Sequence, residues 1–309
     1  MCELPKISDK LANMRSICAR CILSLTLLTV AAPPAAAQTA SEPGVRAAGM
    51  SGAFTALADD ASAVYWNPAG LATAGFFSLV VDRNSSDAGS AALVALGTPP
   101  LGVSYYRTAT AEVPNGRNSL VAHHVGVTLL QSLADRLTVG ATLKMVHGVV
   151  RADGIERATN RFDADLGVMA AGSLGRLGLT LHNATEPAFA VPAGGSLRLP
   201  RRLRGGIAIN AGSRTTVAAD LDLTATDGAD VGGPAGTRWR DAAVGVETHP
   251  RAKTWLRGGA HWNTAGEAAG VGSVGGSYAV YGATTADVQV SFGSDKGNRG
   301  WGVGLRFVF

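Results

Sequence analysis

The sequence predicts an all-β protein: an antiparallel transmembrane β-barrel of about fourteen strands with a short, partly helical N-terminal plug. Three observations predict this class. Apolar residues recur with period two, the candidate strands are even in number, and short links alternate with longer ones along the chain. Outer-membrane barrels combine these properties, because lipid-facing and lumen-facing side chains alternate and the turns at one end are short.

The composition excludes several other classes. Of the 309 residues, 46% are apolar, 16% are charged and 40 are glycine, and the formal net charge is +4. A disordered chain needs low hydrophobicity and high net charge, which this chain lacks. The small, scattered positive charge gives no reason to propose nucleic acid as a partner. The abundant glycine suits a curved sheet whose lumen admits other protein.

Residues 1–37 have the pattern of a secretory signal peptide that is removed from the mature protein. Arg15 and Arg20 precede an apolar run at 21–32, and three alanines at 35–37 supply the small residues of a cleavage site. The alternative is a membrane anchor, but the run is shorter than the roughly 20 residues of a spanning helix. All three cysteines lie in this segment, so neither disulfides nor thiolate chemistry is expected in the mature chain.

Strict alternation recurs through the rest of the chain. It is present at 162–170, 216–224, 286–292 and 301–309, where apolar residues alternate with polar or small ones. Successive side chains of a strand point to opposite faces, so each segment has one apolar face. A soluble sandwich would bury these faces against each other, whereas a membrane barrel turns them to lipid.

Segment count and loop lengths favour the barrel. Strands are predicted at 76–83, 90–98, 101–108, 119–132, 136–151, 160–172, 176–184, 203–211, 215–225, 239–248, 253–262, 269–280, 283–293 and 299–309. Short links are predicted at 98–100, 133–135, 173–175, 212–214 and 249–252, and longer ones at 109–118, 152–159, 185–202 and 226–238. A sandwich has no reason to sort its loops in this way, whereas a barrel with short periplasmic turns does.

The chain ends on an aromatic strand. Trp301 and Phe309 lie on one face, and at about 3.3 Å per residue and a tilt near 40° they differ in height by roughly 20 Å. This is close to the apolar band of an outer-membrane barrel, about 25 Å tall. Outer-membrane barrels commonly end on an aromatic strand that resembles a signal read by the barrel-assembly machinery, and by this resemblance Phe309 is predicted to be that assembly signal. The alternative is an ordinary edge strand that ends in phenylalanine.

Residues 38–75 fit no strand and are predicted to form a plug inside the barrel, which comprises residues 76–309. Asp59 or Asp60 is suited to cap a short helix over 61–65. A cation site is the alternative for these two aspartates. Capping is favoured, because calcium needs six to eight oxygen ligands.

Further motifs stand out in and after this segment. Asn67 followed by Pro68 predicts a helix start. The run around it comprises Arg46-Ala47-Ala48-Gly49-Met50, Gly52-Ala53-Phe54, Asp59-Asp60 and Tyr65-Trp66-Asn67-Pro68-Ala69-Gly70-Leu71, and a second group comprises Asn183, Leu199-Pro200 and Arg204-Gly205. Together they resemble PorV/PorQ-type outer-membrane proteins, which are similar in turn to the FadL-type long-chain fatty-acid transporters. The likeness covers about 30 residues and departs at Ser51, where the family usually has glycine.

The resemblance implies a fourteen-stranded barrel with an N-terminal hatch. It implies one of two roles: passage of hydrophobic small molecules, as in the FadL type, or service to a secretion system, as in the PorV type. By the same resemblance, the plug role falls on Trp66, Asn67, Pro68, Ala69 and Gly70, interpreted as a movable hatch that gates a ligand.

Residues that carry chemistry are few. Polar side chains on the lumen face of the predicted strands are Asp163, Asp165, Asp220, Asp222, Arg257 and Arg306. Paired aspartates can position a water. No nucleophile, base and orienting group can be named together, however, so a balanced polar wall is favoured and no enzyme activity is predicted. No cofactor or metal site is predicted. The arginines at 201, 202 and 204 either bind lipid phosphates or lie in a solvated loop, and the loop is favoured.

The sequence therefore predicts a FadL-like passive conduit for hydrophobic small molecules in the outer membrane of a Gram-negative-type bacterium. Two alternatives stay open: a PorV-like accessory barrel that binds exported proteins, and a structural surface barrel. The expected partners are outer-membrane lipid, the barrel-assembly machinery, and either a hydrophobic small molecule or a secreted protein.

Overall fold

A closed antiparallel barrel of fourteen strands dominates the structure, as the sequence predicts. The computed structural model describes residues 42–110, 119–192, 194–228, 236–266, 270–293 and 299–309, and the predicted signal peptide lies outside them. The first barrel strand pairs with the last, with Leu79 opposite Phe307, and this pairing closes the sheet. A closed sheet has no free edge, so its backbone polar groups can pair within the wall.

The barrel strands agree with the predicted segments to within a few residues at most ends. They are β1 (Ser78–Ser86), β2 (Gly89–Thr98), β3 (Leu101–Thr110), β4 (Ser119–Ala134), β5 (Leu137–Ala152), β6 (Ile155–Ala171), β7 (Gly175–His182), β10 (Arg202–Asn210), β11 (Thr215–Asp222), β14 (Asp241–Arg251), β15 (Thr254–Asn263), β16 (Gly270–Tyr281), β17 (Thr284–Gly293) and β18 (Gly300–Val308). Four short strands form two hairpins outside the barrel sheet: β8 (Ala188–Ala190) with β9 (Ser196–Arg198), and β12 (Thr226–Asp227) with β13 (Arg238–Trp239).

The links are sorted between the two ends of the barrel. At the short-turn end they have two to four residues and lie at 99–100, 135–136, 172–174, 211–214, 252–253 and 282–283. The opposite end, termed the long-loop end, carries the links 183–201 and 223–240, which contain the hairpins β8–β9 and β12–β13.

One predicted long link is wrong. Residues 152–159 do not form a loop, because β5 and β6 continue to a two-residue turn at Asp153 and Gly154. Both turn residues have positive φ, 51° and 77°. This is the backbone that a tight type I′ hairpin requires and that Asp-Gly favours. The two strands are therefore 16 and 17 residues long.

The apolar faces of the barrel strands point outward, as the alternation predicts. On β17 the side chains of Val288, Val290 and Phe292 are 53–56% exposed, while Asp287 and Gln289 between them are 5% exposed. β18 continues this pattern, with Trp301, Val303 and Leu305 on its exposed face. Apolar residues that face outward from a closed barrel match a lipid-facing surface and do not match the inner layer of a sandwich.

The plug is folded inside the barrel. It contains two single-turn α-helices, α1 (Val45–Ala48) and α2 (Ala63–Trp66), and the 3-10 helix η1 (Pro68–Thr73). Its side chains form most of the main hydrophobic core, including Met50, Phe54, Leu57, Trp66 and Leu71, and alanines of the barrel wall complete it. Among the described residues, no helix is long and apolar enough to cross a bilayer.

Glycines in the wall let the plug approach closely. A Cβ atom on Gly167 of β6 would lie 2.2 Å from the side-chain oxygen of Asn67, and one on Gly140 of β5 would lie 2.6 Å from the backbone of Pro68. Real Cβ atoms do not make contacts this short, so larger residues at either place would displace the plug.

The hairpin β8–β9 folds back into the barrel from the long-loop end, and we term it the lid hairpin. Phe189 of β8 and Leu197 of β9 are buried against Val146 and Val150, on the inner face of β5. A Cβ on Gly148 would lie 2.3 Å from the ring of Phe189, so a wall glycine again makes room for the insert. The sequence pattern predicts only a loop over 185–202.

Candidate ligand-binding cavity

A cavity of about 340 Å³ lies between the plug and the long-loop end. Tyr65 and Trp66 of the plug line it from below. Leu197 of the lid hairpin and Leu199, just after the hairpin, line it from the other end. The barrel strands supply the side wall. The volume is at the lower limit of typical small-molecule sites, about 300–1,000 Å³.

Aromatic rings cover one side of this cavity in a connected series. His124 of β4 stacks on Tyr106 of β3, with ring centroids 4.1 Å apart and an interplanar angle of 13°. Tyr106 lies edge-on to Tyr65 at 5.4 Å, and Tyr65 contacts His182 of β7 at 5.3 Å and Trp66 at 5.4 Å. Offset and edge-to-face pairs of this kind are favourable. They present a continuous aromatic surface to a ligand.

Two arginines of β10 line the cavity and are paired with carboxylates. Arg202 lies 2.6 Å from Glu42 of the plug, and Arg204 lies 2.6 Å from Asp222 of β11. Burial raises the pKa of the Glu42 carboxyl, but the guanidinium groups of Arg202 and Arg204 outweigh it and lower the pKa to about 2. The preference for a solvated loop at 201–204 is therefore wrong for these two residues. They begin a barrel strand and point inward.

Lys144 of β5 is the centre of a buried polar network beside the rings. Its ammonium group lies 3.1 Å from Asp163 and 2.8 Å from Asp165, both on β6. It also donates to the hydroxyl of Tyr106 at 3.2 Å and to the side-chain oxygen of Asn183 at 3.0 Å. Two carboxylates and two neutral acceptors thus surround one cation, which fits the interpretation of the aspartates as a balanced wall.

Two of the other predicted lumen-facing residues, Asp220 and Arg306, hold the plug directly. Asp220 accepts hydrogen bonds from the backbone N–H groups of Phe54 and Thr55, at 3.1 and 2.9 Å. Arg257 lies 3.3 Å from Asp287 and also pairs with Glu247. Of the two aspartates Asp220 and Asp222, it is Asp222 that lines the cavity.

Arg306 of β18 reaches Asp60 of the plug at 3.2 Å. Asp60 also accepts from Arg46 at 3.0 Å and from the backbone N–H of Ser62 at 2.9 Å. Burial raises the pKa of Asp60, but Arg46 and Arg306 outweigh it and lower the pKa to about 2. Asp60 thus links the plug to the wall, and the residue at the N-cap of α2 is Ser62.

The predicted hatch residues lie at the centre of the plug. Asn67 is fully buried, its side-chain oxygen accepts from the N–H of Ala69 as the predicted cap, and its amide donates to the carbonyls of Thr55 and Val168. Pro68, Ala69 and Gly70 form the first turn of η1. Within the described residues, only Trp66 of the five lines the cavity, so the others form the layer beneath it.

Phe309 lies far from this cavity, at the short-turn end. Its backbone N–H donates to the carbonyl of Phe77 at 2.9 Å, and the N–H of Phe77 donates back at 3.2 Å. The ring of Phe309 is 71% exposed. Its role as an assembly signal stays a prediction.

In the part of the chain that the structure describes, no three histidine, cysteine or acidic side chains are grouped to hold a metal ion.

In sequence, the chain matches no protein-family model and no curated protein. In structure it is similar to the monoaromatic hydrocarbon channel CymD, with a TM-score of 0.70 over 86% of this chain and 97% of that one, at 15% identity. The chain has the fold of the FadL-type barrels. The Ralstonia pickettii toluene transporter TbuX gives a TM-score of 0.66 at 15% identity, covering 86% of this chain and 98% of its own. A Pseudomonas aeruginosa FadL homologue gives 0.65 at 12% identity, covering 88% and 100%.

Most of the cavity wall is not indicated by any local sequence pattern. Tyr65, Tyr106, His124 and His182 are far apart in the chain and belong to four different elements. Period-two alternation places His124 on the inner face of β4, but it does not indicate which other rings lie beside it. The plug supplies Tyr65, and its fold inside the lumen is not encoded in any strand pattern.

Proposed function

We propose that this protein is a passive conduit for hydrophobic small molecules in the outer membrane of a Gram-negative-type bacterium. The observation that carries the proposal is the ring-lined cavity enclosed between plug, lid hairpin and wall, inside a barrel whose outer face is apolar. The similar structures include a monoaromatic hydrocarbon channel and a toluene transporter, which supports the same class of cargo. This role requires no enzyme activity.

The plug favours a route in which the ligand binds and is then released, and it argues against an open, water-filled pore. It fills the lumen below the cavity and is joined to the wall through Asn67, Asp60 and the Asp220 carboxylate. A ligand that arrives from the long-loop end is therefore stopped by the plug. Passage then requires either a rearrangement of the plug, with Trp66 to Gly70 as the predicted hatch, or an exit through the wall.

The junction between β6 and β7 favours an exit through the wall. Six residue pairs join these two strands, from Leu166 opposite Leu181 to Ala171 opposite Arg176. Within the described residues, this is the smallest number of pairs at any of the fourteen strand junctions of the barrel. From Leu166 towards the long-loop end, the edge of β6 is held by the segment 183–187, which connects β7 to β8 and which we term the stem of the lid hairpin. There the carboxylates of Asp165 and Asp163 accept from the N–H groups of Asn183 and Thr185.

Asn183 also lines the cavity, so this stretch separates the ligand site from the outside of the barrel. Moving the stem would break the backbone hydrogen bond from Ala184 to Ala164 and a few side-chain hydrogen bonds. The residue pairs between β6 and β7 would stay intact. We propose it as the lateral exit into the membrane.

Uptake by cells tests the proposal. Lipopolysaccharide slows the diffusion of hydrophobic compounds, so we would measure entry of radiolabelled naphthalene and 2-naphthol into bacteria that lack related channels, with and without this protein. Thr108→Trp, which adds an indole to the cavity wall, is expected to abolish the gain. Thr108→Val at the same place is expected to keep it. If wild-type cells take up no more of either compound than cells without the protein, the conduit proposal is wrong.

A further inference from the structure

The buried cations around the cavity are already paired with carboxylates. Arg202 is paired with Glu42, Arg204 with Asp222, and Lys144 with Asp163 and Asp165. A charged ligand would have to displace one of these pairs or be buried without a counter-ion, and either is costly. The wall therefore disfavours aromatic or aliphatic anions despite its arginines.

Several neutral polar atoms in the same wall have no partner. Within the described residues, neither ring nitrogen of His124 forms a hydrogen bond, and the Nε2 atom of His182 and the side-chain oxygen of Gln289 also have none. The three side chains are 2%, 3% and 5% exposed, and all three line the cavity. Buried polar groups in proteins are nearly always hydrogen-bonded, so these atoms call for a partner from a ligand or from water.

The two histidines stand at the ends of the aromatic series. His124 stacks on Tyr106, and His182 contacts Tyr65, so a flat ring bound against these tyrosines would reach one or both imidazoles at its edge. A neutral imidazole offers one donor and one acceptor. A hydroxyl group also donates and accepts, and so it matches either nitrogen.

We propose that the cavity binds neutral aromatic compounds that carry a hydroxyl group, in preference to aromatic hydrocarbons and aromatic carboxylates. A hydrocarbon would fill the space but leave the imidazole nitrogens without partners, which costs affinity. The inference rests on the proposed function for its biological meaning, since it names the substrate class that would pass through the conduit.

Equilibrium dialysis against the purified full-length protein in detergent tests the preference. The probes are radiolabelled 2-naphthol, naphthalene and 2-naphthoate at pH 8, with binding to protein-free micelles subtracted. We expect 2-naphthol to bind at least fivefold more tightly than either of the others, because one or two neutral hydrogen bonds contribute roughly this much.

Variants locate the preference. His124→Phe keeps the stacked ring but removes both nitrogens, and His182→Phe removes the other imidazole. Each is expected to lower the affinity for 2-naphthol at least threefold and leave that for naphthalene unchanged. His249→Phe is the matched control, because His249 stacks on Trp255 and does not line the cavity. Circular dichroism of each variant confirms that the barrel is folded.

Three outcomes overturn the inference: equal affinity for 2-naphthol and naphthalene, tighter binding of 2-naphthoate, or a preference that both histidine variants retain. Binding with the expected preference but no cellular uptake would leave the site in place and refute the conduit. Cellular uptake without the binding preference would support the conduit and refute the preference for hydroxylated ligands.

Discussion

Arg46 of the plug and Glu247 of the barrel wall form a two-pronged ion pair although they lie 201 residues apart in the chain. The Nε and Nη2 atoms of the guanidinium donate to the two carboxylate oxygens at 2.9 and 2.7 Å. Charge-assisted, two-pronged pairs of this kind fix geometry as well as adding energy. The same guanidinium reaches Asp59 and Asp60 within the plug, so one side chain organises the plug and joins it to β14.

Replacing Arg46 by methionine is predicted to loosen the plug. Glu247 keeps Arg257 and Asp60 keeps Arg306, so neither carboxylate is left without a cation. We therefore expect a loss of about 2 kcal/mol, the size of one hydrogen bond to a charged group. The measurement is the rate of maleimide labelling of a Thr55→Cys reporter, since residues 38–309 contain no cysteine. We expect a rise of about thirtyfold. Arg214→Met, in an exposed turn, should leave the rate unchanged, and an equal rise there would contradict the prediction.

Gly70 is predicted to tolerate no side chain. A Cβ at this position would lie 2.2 Å from the carbonyl oxygen of Ala58, inside the plug. Gly70→Ala should therefore lower the free energy of unfolding in phospholipid vesicles by about 2 kcal/mol, as overpacking does. Gly172→Ala is the control, because its Cβ would find its nearest neighbour at 3.6 Å. Urea titrations followed by tryptophan fluorescence would measure both, and similar losses in the two variants would argue against this steric account.

Acid is predicted to release the plug only at low pH. The pKa values of Glu42 and Asp60 in the folded protein are lowered to about 2, below the ordinary values of about 4.3 and 3.9. Their contribution to stability is therefore complete above the ordinary values, and it is lost as the pH falls towards 2. The near-ultraviolet circular dichroism of the packed rings should stay constant from pH 8 to pH 5 and decline between about pH 4.5 and pH 2. A midpoint near neutrality would refute this assignment.

A disulfide is predicted to close the lateral exit. Ala184 of the lid stem donates its N–H to the carbonyl of Ala164 on β6 at 2.9 Å, so cysteines at both places lie close enough to be tested as a cross-link. With Ala164→Cys and Ala184→Cys oxidised, we expect uptake to fall at least fivefold while equilibrium binding is retained. Reductant should restore uptake in the same sample. Undiminished uptake by the oxidised protein would show that ligands leave by another route, such as past the plug.

The sequence predicted the barrel well because alternation and loop length are local signals. All fourteen barrel strands lie within the predicted segments or within a few residues of them, and the predicted cap at Asn67 forms its hydrogen bond to Ala69. The long link predicted at 152–159 is wrong for a local reason. The Asp153-Gly154 pair is itself a hairpin signal, and it indicates two long strands.

The cavity depends on contacts that no local pattern encodes. Arg202 follows a proline and another arginine, a pattern that favours a polar loop. Its burial and that of Arg204 are compensated by carboxylates from other segments, Glu42 and Asp222 among them. Phe189 likewise lies in a predicted loop and becomes buried because Gly148 leaves space for its ring. Membership of the PorV/PorQ type and a secretion role stay predictions, supported by the short N-terminal run of residues.

The unequal strand lengths give the barrel a sloping rim. With 16 residues, about 3.3 Å per residue and a tilt near 40°, β5 rises roughly 40 Å, whereas the eight residues of β7 rise roughly 20 Å. Compared with an apolar band of about 25 Å, the wall at β5 (the tall flank) would extend well beyond the bilayer, whereas the wall at β7 (the low flank) would end close to the bilayer surface. The low flank, beside β7 and β10, is also where the lid hairpin enters the barrel, so the hairpin covers the lumen at the place where the wall is shortest.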